Sequence, residues 1–372
     1  MMRGIRQAAS PRGVLNPMSV LAALLILAVI WVPSHASARD VSAIKASVEN
    51  FAIPALEAFA GSTAALRDSI SALCAAPSPD GLSEAQQNFT HATTDWAAVN
   101  ILRIGPILED NRLERILFWP DRRGVGLRQV QALLQNREPE SATPSGLAQK
   151  SVAVQGLAAL EFALYGNGSD ELASEADTFR CRFAHAAGTN ISAIAGELVT
   201  EWQGPEGFAE IWMRPGADNP FFRDEKEALG ALVSLFSNGL EFYDTMELGS
   251  FLGSTAKKDR PKRALFRRSD GTLAMLQTGL EDFRALYDVS GLAELLPESS
   301  KWIDDSVRFG FRHPIAALDS LSGPPADLLS DPEQRSKLVF VRTTVRAMMG
   351  NFGDDMTAAL GLTANFSSLD GD

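Results

Sequence analysis

Apolar residues recur along this chain at the spacing of one helix face. In three stretches the steps between them are three or four residues, as the buried side of an α-helix requires. These positions are Leu82, Ala85, Phe89, Ala92, Trp96 and Val99; Leu273, Leu276, Leu280, Phe283 and Tyr287; and Val345, Met349, Phe352, Met356 and Leu360. No stretch shows the convincing alternation of a half-buried strand. The pattern therefore predicts an all-α fold.

The stripes and their breaks predict eight helices in two groups of four. The first group covers residues 41–74, bent at Pro54, 82–109, 147–166 and 170–202, and the second covers 223–249, 264–289, 292–321 and 331–362. Residues 204–220, between the groups, have the Gly and Pro content of a linker. We therefore predict two four-helix bundles, residues 39–205 and residues 206–372.

Two charged residues stand alone in apolar surroundings. Arg103 is the only charged residue in 96–108, and Glu161 is the only charged residue in 151–169. A buried charge must be paired, neutralised or ligated, because desolvating it alone is unfavourable. Three interpretations stay open: a structural Arg103–Glu161 ion pair, a polar cavity in which Glu161 binds a cation or another ligand, or two side chains in solvent.

The first 38 residues have the pattern of a secretory signal peptide. Three arginines and no acid precede an apolar run at 20–32, and Ala36-Ser37-Ala38 is a small-residue cleavage pattern. The run is shorter than the roughly 20 residues that a membrane span needs, and an uncleaved anchor is the alternative. We predict cleavage after Ala38, a location in the periplasm or cell envelope, and no membrane span afterwards.

Charge and cysteine content fit an exported protein. Removing residues 1–38 takes away three arginines and no acid, so the net charge moves from −12 to −15. An acidic surface argues against nucleic acid and anionic membranes as partners and is compatible with cations. The remaining chain has two cysteines, Cys74 and Cys181. An oxidising compartment favours a disulfide between them, and two free buried thiols are the alternative.

Four short segments follow one another in an order that carries a family resemblance. They are Trp96 followed by Arg103-Ile104-Gly105-Pro106, Phe118-Trp119-Pro120-Asp121, Lys262-Arg263-Ala264 with Arg267-Arg268-Ser269, and Ala364-Asn365-Phe366-Ser367-Ser368-Leu369-Asp370-Gly371-Asp372. In this order they resemble segments of the imelysin family of bacterial cell-envelope proteins. The resemblance implies two related four-helix bundles and a role around iron or haem uptake. The family is also classed with metallopeptidases.

One motif of that family is incomplete here. Its Gly-x-His-x-x-Glu corresponds to residues 156–161, where Gly156 and Glu161 are present but Ala158 replaces the histidine. Residues three apart share a helix face, so a histidine and a glutamate at this spacing are able to ligate one metal, whereas alanine has no donor atom. The sequence also lacks His-Glu-x-x-His. Metal-dependent proteolysis is therefore disfavoured.

A ligand site is predicted in the first bundle or where the two bundles meet. Its predicted residues are Glu161, Arg103, Trp96, Trp119, Asp121, Gly156, Arg268 and Asp370. Glu161 is the polar centre and the candidate metal ligand, and Arg103 is its charge partner or an anion clamp. The basic cluster at residues 260–268 either contacts an anion or forms a helix-start face against acidic loops.

These residues favour a binding protein linked to iron or haem uptake. Iron or another divalent cation is the candidate ligand, and iron-uptake or other envelope proteins are the candidate partners. One alternative is a metallopeptidase in which Glu161 acts as general base on a metal-bound water. The other is a scaffold that binds partner proteins without a small ligand.

Overall fold

The computed structural model describes residues 35–363, and this part of the chain contains helices, turns and loops but no strand. The prediction of an all-α fold is confirmed. Residues 1–34 and 364–372 lie outside the described residues, and with them most of the predicted signal peptide and Asp370. From Arg39 onward the chain groups into one unit, and the boundary expected between residues 205 and 206 stays a prediction. Within 35–363 no helix is long and apolar enough to span a membrane.

The first half contains three long α-helices of 23 to 25 residues and six shorter ones. They are α1 (His35–Ser47), α2 (Ile53–Ala75), α3 (Pro79–Ile101), α4 (Arg112–Ile116), α5 (Val125–Asn136), α6 (Pro144–Ala148), α7 (Leu157–Tyr165), α8 (Phe179–Gln203) and α9 (Phe208–Met213). Those of the second half are α10 (Glu225–Phe242), α11 (Gly249–Phe251), α12 (Thr272–Ser290), α13 (Leu292–Leu295), α14 (Trp302–Asp319), α15 (Pro325–Ser330), α16 (Pro332–Gly350) and α17 (Thr357–Ala359).

In the first half, α2 packs against both α3 and α8, and the short helix α7 lies against α3 and α8. Nearly every residue of α7 is buried, which explains why its sequence is apolar on all sides. A disulfide joins Cys74 in the last turn of α2 to Cys181 in the first turn of α8. The predicted disulfide is therefore confirmed, and it ties α2 to α8, one of the two long helices against which α7 lies.

The second half contains four helices of 18 or 19 residues, α10, α12, α14 and α16. Helix α16 packs against α10 and α14, and α14 also packs against α12. Phe236 of α10 stacks on Phe352, with ring centroids 4.4 Å apart. Helix α12 lies against α3 as well, so the halves share apolar contacts.

Five predicted helices are shorter than expected, because loops and short turns replace their ends. Three of them are the helices predicted for 147–166, 170–202 and 292–321, whose main observed helices are α7, α8 and α14. The helix predicted for 82–109 ends at Ile101, since Gly105 has a φ of +66° and Pro106 follows it. The helix predicted for 264–289 begins only at Thr272. The loop before it, residues 264–271, becomes a wall of the candidate site.

Candidate functional site

A cavity of about 120 Å³ opens beside α7. Its walls are α7, the segment around Trp119 and Asp121, and a basic loop at residues 262–268. Four of the predicted site residues line this cavity: Trp119, Asp121, Glu161 and Arg268. The cavity combines a segment from each of three family-like motifs that are far apart in sequence.

Glu161 holds the loop at residues 264–271 through one carboxylate oxygen. Its Oε1 accepts hydrogen bonds from the backbone N–H of Arg268 at 2.8 Å, from the N–H of Ser269 at 3.1 Å and from the Ser269 hydroxyl at 3.2 Å. Glu161 is only 4% exposed. These hydrogen bonds satisfy donors on three consecutive groups of the loop, so Glu161 works as an anchor for it.

The anchored loop has an unusual backbone. Phe266 and Asp270 have φ values of +52° and +55°, in the left-handed region that L-residues seldom adopt. Such conformations are retained only where the surroundings hold them in place. Here the loop is held by three hydrogen bonds to Glu161. A fourth, from the Thr272 hydroxyl to the Leu265 carbonyl, also holds it.

Arg268 is the charge partner of Glu161. Its Nη1 lies 3.6 Å from Glu161 Oε2, and its guanidinium lies over the ring of Phe162, 5.3 Å from the centroid. Burial, and secondly the positive charge of Arg267, lower the pKa of Arg268. The site therefore crowds positive charges together in a half-buried space.

Asp121 is engaged in building the opposite wall. Its two carboxylate oxygens accept the N–H groups of Val125 at 2.7 Å and Leu127 at 3.3 Å, at the start of α5. The preceding Trp119–Pro120 bond is cis. The indole Nε1 of Trp119 is buried and has no hydrogen-bond partner among the described residues.

The degenerate motif lies beside this cavity, and its first and third positions have different roles. Ala158 lines the cavity on the same helix face as Glu161. Gly156 does not line the cavity; it packs on the backbone of Ile116. A Cβ at Gly156 would lie 2.3 Å from the Ile116 carbonyl oxygen. The glycine thus permits close packing of α7, which corrects its predicted place in the ligand site.

Arg103 lies in a different place from the one expected. It follows the end of α3, donates to the Asn100 carbonyl at 3.3 Å and to Asn100 Oδ1 at 2.8 Å, and sits 3.8 Å over the Phe242 ring. It lines a second cavity of about 190 Å³. The Arg103–Glu161 pairing is therefore wrong: because α3 ends at Ile101, Arg103 leaves the apolar stripe and turns toward α10.

Behind Arg103 lies a buried acid that sequence reasoning missed. Glu247 is fully buried in the π-helical segment Tyr243–Leu248 that extends α10. Its Oε1 accepts a hydrogen bond from Asn100 Nδ2 at 3.4 Å. Burial raises the pKa of Glu247 to about 7, and the charge of Arg103 opposes this shift. The periodic pattern gave no signal for it, because the segment departs from regular α-helical spacing.

Trp96 belongs to the core. It is 1% exposed and its ring packs on Phe59 with centroids 5.4 Å apart. It does not line the cavity beside α7, which corrects its predicted role. Asp370 lies outside the described residues.

The set of donors does not fit a divalent cation held directly by Glu161. Among the described residues no group of three or more His, Cys, Asp or Glu side chains is placed to hold a metal ion. Both acids of the cavity already accept backbone N–H groups, and Arg268 lies next to Glu161. A cation there would have to displace these donors and approach a guanidinium.

The fold and the cavity define an all-α protein with a polar site built by a short buried helix and two loops. The model of a known family, Imelysin, matches residues 52–345. The chain belongs to the imelysin family.

Two solved structures have the same fold. An imelysin-like protein from Psychrobacter arcticum is 18% identical, with a TM-score of 0.67, over 89% of this chain and 98% of that one. An iron-regulated protein A precursor from Parabacteroides distasonis is 13% identical, with a TM-score of 0.71, over 87% of this chain and 95% of that one. At these identities the likeness concerns the fold. A search of curated proteins finds no match.

Proposed function

We propose that this protein is an exported binding protein of the cell envelope that serves iron or haem acquisition, and that its ligand site is the cavity beside α7. One observation carries the proposal. Segments distant in sequence converge there, and Trp119, Asp121, Glu161 and Arg268 line one space. The similar fold of an iron-regulated protein A precursor supports the link to iron. Iron-uptake or other envelope proteins would be its partners.

The cavity is better suited to binding than to peptide hydrolysis. A general base must be free to take a proton from water. Glu161 Oε1 already accepts three hydrogen bonds, and Ala158 brings no metal donor to the same helix face. These features favour a binding protein over the metallopeptidase alternative. Chelator-sensitive cleavage of an unfolded peptide by the purified protein would reverse this preference.

Iron retention tests the proposal directly. The purified chain is equilibrated with ferrous iron under anaerobic conditions and, separately, with ferric citrate; iron per chain is then measured after desalting. We expect the wild type to retain about one iron per chain from at least one source. Ala158→Phe should abolish retention, because the ring occupies the cavity.

Ala231→Phe is the matched control. Ala231 lines the separate cavity beside Arg103. The control therefore makes the same substitution in a helix but leaves the cavity beside α7 open. Retention should survive in Ala231→Phe. No iron in the wild type from either source, or equal loss in both variants, would refute the proposed site.

A further inference from the structure

The cavity beside α7 carries an excess of positive charge. Four basic side chains line it, against two acids, Asp121 and Glu161. The basic ones are Lys262, Arg263, Arg267 and Arg268. The whole chain, in contrast, has a net charge of −12. A concave site with the opposite sign to its protein concentrates ligands of the protein's own sign.

The two acids cannot balance this charge and also bind a cation. Each is committed to backbone donors that shape the walls, Asp121 at the start of α5 and Glu161 at the loop before α12. Glu161 also faces Arg268. Their charges therefore serve the architecture of the cavity.

Three of the four basic side chains keep unsatisfied charge. In the described part of the chain, Lys262, Arg263 and Arg267 form no ion pair. The hydrogen bonds that the two arginines donate go to carbonyl oxygens, from Arg267 Nε to the Lys262 carbonyl at 3.0 Å and from Arg263 Nη2 to that of Arg122 at 3.3 Å. Each guanidinium retains further N–H groups able to bind oxygen atoms of a ligand.

An adjoining cavity enlarges the space. It has a volume of about 260 Å³, shares Trp119, Asp121 and Arg263 with the first, and adds Arg122. Together the two have the size of a small-molecule site, for which roughly 300–1,000 Å³ is usual. The added space is bordered by another arginine and by hydroxyl groups, including that of Ser250.

We propose that this site binds a small ligand through several oxyanion groups, carboxylate or phosphate, with Lys262, Arg263 and Arg267 as counter-charges. Guanidinium groups match the planar oxygen pairs of such ligands. The proposal rests on the cavity being the ligand site and specifies what enters it. Iron would then arrive inside an anionic complex whose outer oxygens the basic loop holds, with no protein carboxylate in its coordination.

The test is calorimetric titration of iron-free protein with citrate and, separately, with inorganic phosphate. We expect saturable binding of at least one of them at physiological salt, weakening as salt rises. The stronger of the two identifies the oxyanion as carboxylate or phosphate. The double variant Lys262→Gln/Arg267→Gln should bind about tenfold more weakly, because two charge-assisted contacts are lost.

A control pair removes the same charge nearby. Lys257 and Lys258 are exposed and do not line either cavity, so Lys257→Gln/Lys258→Gln should bind like the wild type. Thermal unfolding verifies that both double variants are folded. Absence of binding by both anions, or equal weakening in the two double variants, would overturn the proposal.

The two experiments separate the two proposals. Iron retained from the ferrous source without any anion binding would leave the proposed function standing and refute the oxyanion ligand. Anion binding that depends on Lys262 and Arg267, without iron retention, would support the oxyanion ligand and refute the link to iron.

Discussion

At the scale of the residue, Glu161 and Glu247 are two buried acids with different hydrogen-bond partners. Glu161 accepts three hydrogen bonds and faces Arg268, so its charge is compensated. Glu247 has one long hydrogen bond from Asn100 and the more distant charge of Arg103. Burial with so few partners raises the pKa of Glu247.

Truncation of Glu161 should destabilise the protein mainly through the loop that it anchors. Glu161→Ala leaves two backbone N–H groups and the Arg268 charge without their partner, which we expect to lower the free energy of unfolding by about 2–4 kcal/mol. Glu161→Gln keeps an acceptor oxygen and should cost about 1 kcal/mol. Urea denaturation measures both.

Glu175→Ala is the control for this pair, since Glu175 is an exposed acid on the same half of the chain. It should leave the free energy of unfolding within about 0.5 kcal/mol of the wild type. If Glu161→Ala were equally harmless, the anchoring role would be wrong.

Glu247 should make stability depend on pH. Burial raises its folded-state pKa to about 7, above the ordinary value of the unfolded chain. Its stabilising contribution is therefore complete below the unfolded pKa, near 4.5, and is lost as pH rises through about 7. The total loss corresponds to about 3–4 kcal/mol.

The measurement is the difference in unfolding free energy between wild type and Glu247→Gln as a function of pH. The isosteric amide cannot ionise, so taking the difference cancels the contributions of other titrating groups. One of these is Asp282, because burial raises its pKa to about 7 as well. The wild type should lose stability relative to the variant between pH 4.5 and 7. A constant difference over this range would contradict the prediction.

At the scale of the element, short segments between long helices form the site. Helix α7 has nine residues and is buried on almost every side, and the loop at 264–271 occupies positions where helix periodicity predicted a helix. The long helices α2 and α8 provide the rigid support, and the Cys74–Cys181 disulfide links them at one end. Functional side chains on loops held by rigid elements are a common arrangement.

Removal of this disulfide should lower stability without changing the fold. The bridge closes a separation of 107 residues, for which the chain-entropy model gives about 4–5 kcal/mol. The double variant Cys74→Ser/Cys181→Ser should unfold at lower urea concentration by that free energy and keep its helical circular dichroism. Reduction of the wild type should reproduce the effect, and the variant should be insensitive to reductant. Equal stability of oxidised wild type and variant would contradict this.

At the scale of the whole molecule, the site belongs to both predicted bundles. Glu161 and Asp121 lie in the first half and the basic loop with Arg268 lies in the second. Helix α3 of the first half also packs on α12, which begins directly after the basic loop. A ligand in this cavity would therefore contact both halves of the chain. Binding sites are frequent at such junctions.

Much of the fold and part of the site followed from sequence. Helical stripes predicted the long helices because each must bury one face. Trp119, Asp121, Glu161 and Arg268 were recognised from motif segments, and they line one cavity. Helix ends were less predictable, since the left-handed backbone at Phe266 and Asp270 has no marking glycine.

By itself the sequence determined the helical class, the family and the pair of cysteines, because periodicity, motif order and residue count are all local or linear properties. Only the tertiary structure decided that Arg268 and not Arg103 faces Glu161, and that Trp96 and Gly156 serve packing. Charge pairing depends on which helix ends approach each other in space. A periodic pattern shows which face is buried but not which neighbour it meets.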